Sequence, residues 1–107
     1  MMDGVGQVVV ELTFLPKSMG GRSYPPIPPW TAVGYGGYMP HLVVEGSTEY
    51  LGVRFVDGPQ PVFGVPTVFE LVLMYPGVDY SPLVSGAVVT VREGGSIVAR
   101  GRVLGRQ

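Results

Sequence analysis

The chain has 107 residues, a length that suits one domain built on one core. Its 7 basic and 8 acidic side chains leave a net charge of −1, too few cations for nonspecific nucleic-acid binding or a polybasic membrane patch. Apolar residues make up 46%, which excludes a charge-rich disordered tail, and the absence of cysteine excludes disulfides and thiolate metal sites.

Pro and Gly interrupt every window long enough for three helical turns. Valine dominates the apolar set, and its branched Cβ suits a pleated surface. The chain therefore reads as all-β. Val8, Val10, Leu12 and Phe14 alternate with Val9, Glu11 and Thr13, the period of a strand with one buried face over about Gln7 to Leu15. Pro16 ends it, and Lys17 to Gly21 is a turn. Ser23 to Gly37 is a long loop rich in Pro, Gly and aromatics; such loops are uncommon in compact domains and often functional. A second strand is expected over about Tyr38 to Glu45, with Pro40 marking an edge or a bulge. The third, Tyr50 to Val56, places Leu51, Val53 and Phe55 on one face, and Asp57-Gly58-Pro59 breaks it. The fourth, about Thr67 to Tyr75, places Phe69, Leu71, Leu73 and Tyr75 on one face. Its other face, with Val68, Val72 and Met74 beside Glu70, is apolar enough to be covered, and an exposed patch there would favour dimerisation.

The last two strands form a hairpin. A two-residue loop at Gly94-Gly95 would pair Val89 with Arg100 and bury an arginine. A three-residue loop, Glu93-Gly94-Gly95, pairs Val91 with Ile97 and Val89 with Ala99 and keeps Arg100 and Arg102 outside. The spacing therefore predicts the longer loop, with Gly95 in the left-handed region. Six short alternating strands predict a closed antiparallel β-barrel, a single domain over residues 1–107. No apolar run approaches the ~18 residues of a membrane span. The Met1-Met2-Asp3-Gly4 start has neither the basic nor the apolar region of a secretory signal, and with no cysteine the expected location is the cytoplasm.

Arg92-Glu93-Gly94-Gly95, followed by Ile97 to Val103, resembles the closing hairpin of the C-terminal domain of elongation factor Tu. Gly20-Gly21-Arg22 resembles that family's G-G-R after its first strand. Tyr38-Met39-Pro40-His41-Leu42-Val43-Val44 resembles its Y-R-P-Q-F-Y-F strand, and Phe69 to Pro76 its long apolar strand. The resemblance spans about Val8 to Leu104 and implies a six-stranded antiparallel barrel without chemistry of its own. It also implies contacts to the T stem of tRNA and to partner proteins. By position the RNA contacts fall on Glu93, Gly94 and His41, with Arg92 and Arg100 nearby. The family's Arg is Met39 here and its Gln is His41, so cationic contacts are lost. No G-x-x-x-x-G-K-[ST] loop is present, so GTP binding by this chain is excluded.

Catalysis has little support. His41 is the only histidine, and no G-x-S-x-G elbow accompanies it. Asp57, Glu70, Asp79 and Glu93 are scattered without metal-ligand spacing, so neither metal nor cofactor is expected. Arg22-Ser23-Tyr24-Pro25-Pro26-Ile27-Pro28 matches a polyproline ligand of SH3 domains, but a rigid packed loop is the preferred reading of it. Tyr24, Trp30, Tyr35 and Tyr38 lie in or beside this loop and are typical interface anchors, unless they fold back over the barrel end as Trp30 is expected to. The expected function is a non-catalytic protein-docking module using these four aromatics. The alternative is RNA binding, tRNA included, at Arg92 to Gly95 with His41 and Arg100.

Overall fold

The computed structural model describes residues 6–28, 30 and 37–107. β1 (Gln7–Phe14) buries every second residue, with Val8, Val10, Leu12 and Phe14 wholly inside. β2 (His41–Val44), β3 (Leu51–Asp57), β4 (Thr67–Leu73), β5 (Val88–Glu93) and β6 (Ser96–Arg106) follow. All neighbours are antiparallel, and the order β1-β4-β3-β2-β5-β6 closes on itself as the expected six-stranded barrel. Among the described residues the only helical element is a 3₁₀ turn at Lys17–Met19, ended by Gly20 in the left-handed region.

β2 is shorter than its sequence suggests because Pro40 has no N–H to give. Residues 38–40 nevertheless run alongside β3: Tyr38 and Pro40 carbonyls accept from Phe55 and Val53 N–H at 2.9 and 3.1 Å. β4 stops at Leu73. The Tyr75 N–H is taken by the Tyr80 hydroxyl at 3.1 Å, and the Tyr75 ring lies half-exposed outside instead of sharing the inner face.

The core is graded along the barrel axis. Phe14, Phe55, Phe69 and Trp30 fill the end from which the hairpin loop and the Pro-rich loop project, with ring centroids 5.2–6.2 Å apart. That spacing favours edge-to-face aromatic contact. Trp30 closes this end, and its indole N–H donates to the Gly58 carbonyl at 2.9 Å, so the wedge carries no unpaired polar group. The opposite end is sealed by Leu51, Leu73, Tyr80 and Leu83. The Tyr80 hydroxyl donates to the Gly52 carbonyl at 2.6 Å.

The hairpin corrects the expected register. Glu93 pairs with Ser96 and Arg92 with Ile97, so the loop has two residues, Gly94-Gly95. Gly94, not Gly95, carries the positive φ of 59°, as the first position of a primed two-residue turn requires. Between Val91 and Arg92 the register shifts, and Val91 then faces Ala99, Val89 faces Gly101 and Thr90 faces Arg100. The extra residue is Val98, a bulge whose carbonyl accepts from the Leu15 N–H at 2.9 Å. One inserted residue reverses the parity of everything after it. Arg100 and Arg102 therefore stay outside although the loop is short.

Gly101 packs directly on the β1 backbone. A Cβ there would stand 1.8 Å from the Glu11 carbonyl oxygen, so only glycine permits this approach.

Candidate functional site

The loop end of the barrel is tied together by a polar cluster. Glu93 follows the outward Arg92 and so turns over the barrel mouth. Its carboxylate accepts from the Arg22 guanidinium and from the Tyr38 hydroxyl. Arg22 also donates from Nε to the Tyr24 carbonyl at 2.8 Å and stands 5.5 Å from the centre of the Tyr38 ring. Tyr38 in turn packs on Phe55 and Trp30. Burial first, then the hydrogen bond to Glu93 and its negative charge, push the Tyr38 phenol far above its usual range. The cluster bridges the Pro-rich loop, the approach to β2 and the closing hairpin. Gln60 adds a second tie, donating to the Pro26 carbonyl at 3.1 Å.

On this support the four expected anchor residues separate. Trp30 is 4% exposed and belongs to the core, because its ring fills the space above Phe55 and Phe69. Tyr38 is half-buried, and its hydroxyl is engaged by Glu93. Neither offers a docking face. Tyr24 is 62% exposed. Tyr35 lies outside the described residues. Exposed at the same end as Tyr24 are Ile27, part of the Pro-rich motif, and Met19, Val62 and Val65, which did not stand out in the sequence. An SH3 ligand needs a free arginine and free prolines. Here Arg22 is bound to Glu93 and Pro26 is buried, so the rigid packed loop accounts for this segment.

The residues of the RNA alternative also separate. Glu93 is committed to Arg22 and Tyr38, and Gly94 is an exposed turn residue. His41, Arg92 and Arg100 share the outer face of β2, β5 and β6: His41 lies opposite Arg92, and Thr90 lies between Val43 and Arg100. Tyr50, read in the sequence only as the start of the third strand, joins them, with its ring 5.6 Å from His41 and 5.9 Å from the Arg92 guanidinium. Arg102, two residues along β6 from Arg100, pairs with Glu11 at 3.6 Å.

On β4, Val68 is exposed and Val72 half-buried, with Glu70 interrupting the row; Met74, just past the strand, is half-buried too. Among the described residues no three His, Asp or Glu side chains converge as a metal site. No helix of the described residues is long and apolar enough to cross a membrane. No protein-family model matches the chain, and no curated protein matches it significantly.

Proposed function

We propose that this chain is a non-catalytic binding module that docks a protein partner at the loop end of its barrel. In this reading it resembles the C-terminal domain of elongation factor Tu without the GTPase, and it works in the cytoplasm. One observation carries the proposal. Tyr24, Ile27, Met19, Val62 and Val65 are each about half-exposed or more at one end of the barrel. The loop beneath Tyr24 and Ile27 is held by Arg22, Glu93, Tyr38 and the buried Trp30. Apolar side chains on a fixed support lose little freedom on binding, and a tyrosine among them is a common anchor.

The test uses the exposed residues, because truncating Trp30 would damage the core. The immobilised chain is incubated with cell lysate beside a Tyr24→Ala/Ile27→Asp double variant of unchanged melting temperature. The wild type is expected to retain a specific protein that the double variant loses. Equal retention by both would remove this end of the barrel as the docking surface.

A further inference from the structure

Arg92 is half-buried, yet among the described residues no carboxylate lies within 4.0 Å of it; the two ion pairs there are Arg22–Glu93 and Arg102–Glu11. Its charge is instead fixed in place by neutral groups. Nε donates to Thr90 Oγ1 at 2.9 Å, Nη1 reaches the Tyr50 hydroxyl at 3.5 Å, and the guanidinium lies over the Tyr50 ring. An arginine normally gives up rotamer freedom when it binds an anion; this one has already given it up. Thr90 uses an oxygen lone pair to accept from Arg92, which leaves its own O–H to donate elsewhere. Directly across β6 from Thr90 is Arg100, exposed and without a hydrogen-bond partner among the described residues. Thr90, Arg92 and Arg100 line one groove of about 280 Å³, with Val43 and Ile97 as apolar wall and Glu45 as its one acidic lining residue.

We propose that this groove is a binding site for a terminal phosphate group. A phosphate monoester brings a charge of about −2 and three acceptor oxygens, matching two guanidinium forks and one hydroxyl. A carboxylate has one charge and two acceptor atoms and leaves part of that donor set unused. A nucleic-acid backbone fits less well, since it requires a row of cations. The next arginine on β6, Arg102, is paired with Glu11, so the two groove arginines are not continued as a row. The site lies on a different face from the docking end and does not depend on the docking proposal.

The experiment is a titration of the isotope-labelled chain with inorganic phosphate at constant ionic strength, followed by the arginine Nε–H and backbone amide resonances. Saturable shifts confined to Thr90, Arg92, Arg100 and their neighbours are expected. Arg100→Ala, at an exposed position that the fold does not need, and Arg92→Ala should each weaken binding about tenfold or more. Arg102→Ala should leave it unchanged. A phosphoserine peptide binding the same residues more tightly supports a protein-borne phosphate, and affinity equal to inorganic phosphate supports a small-molecule one. Shifts that fail to saturate, acetate binding as well as phosphate, or equal losses in Arg92→Ala and Arg102→Ala would overturn the site. An RNA duplex that binds across this face, and whose binding survives Arg100→Ala, would overturn it in favour of nucleic acid.

Discussion

Gly101→Ala isolates the contact that lets β6 lie against β1. Gly101 has no positive φ, so alanine meets no backbone penalty of its own there. The cost is one of space. The new Cβ would fall 1.8 Å from the Glu11 carbonyl oxygen, where real Cβ atoms essentially never come within 3.0 Å. The two strands would have to part by about 1.2 Å, straining a ladder that runs the length of the barrel seam. Overpacking against side chains costs about 1–3 kcal/mol, and a backbone carbonyl in a ladder yields less, so about 3 kcal/mol is expected. For a domain of this size that is a loss of roughly 12–24 °C in Tm. The control is Gly105→Ala on the same strand, where a Cβ meets nothing within 4 Å and φ is again not positive. It should be neutral, or stabilising by up to ~1 kcal/mol. Urea unfolding followed by Trp30 fluorescence measures both, with a shifted midpoint at unchanged m as the expected sign. A Gly101→Ala variant within 1 kcal/mol of wild type, judged against the ~3 kcal/mol expected, would refute the close-approach argument.

The turn assignment is tested by Gly94→Ala, which should cost about 1–2 kcal/mol because Gly94 sits at a φ of 59°, whereas Gly95→Ala should cost little. Chemical denaturation of the two variants decides it, and the reverse order would restore the three-residue loop. Tyr38 makes stability fall at alkaline pH. Its folded pKa lies above the unfolded value, so the stability it contributes is fully present below about pH 10. It is lost at about 1.4 kcal/mol per pH unit as the unfolded phenol ionises above that pH. Tyr38→Phe should remove that part of the slope in a denaturation series from pH 8 to 11, a range set by the usual phenol value of about 10. Trp30→Ala should destabilise the barrel by about 3–5 kcal/mol through the cavity it leaves, while the wild-type indole should fluoresce at the short wavelengths of a buried ring. A red-shifted native emission would contradict its place in the core.

Strand faces were legible in the sequence wherever alternation was unbroken: Val8 to Phe14, Leu51 to Phe55 and Phe69 to Leu73 all bury the expected residues. Alternation failed at Val98, because a bulge adds one residue without any change of composition. Here the rule that arginines stay outside gave the right faces and the wrong loop. Trp30 was readable as a lid only in outline, since its partners Phe55, Phe69 and the Gly58 carbonyl meet it through tertiary closure. The Arg22–Glu93 pair spans 71 residues and lies beyond any local pattern. The Tyr50–Arg92 contact spans 42 and escaped for the same reason. Each depends on which strands the barrel sets side by side.

Strand order also bears on the chain's passage from the ribosome. β1 pairs only with β4 and β6, so neither of its edges has a partner when it emerges. At about 5–20 residues per second, the wait from Phe14 to the start of β6 is roughly 4–16 s. Until β4 emerges both edges of a strongly β-prone Val8-Val9-Val10 run are open to another nascent chain, and until β6 emerges one of them still is. Glu11 follows it directly, and before it meets Arg102 at the seam it is the one charge within the strand. The carboxylate that later helps close the barrel thus serves earlier as a gatekeeper against aggregation.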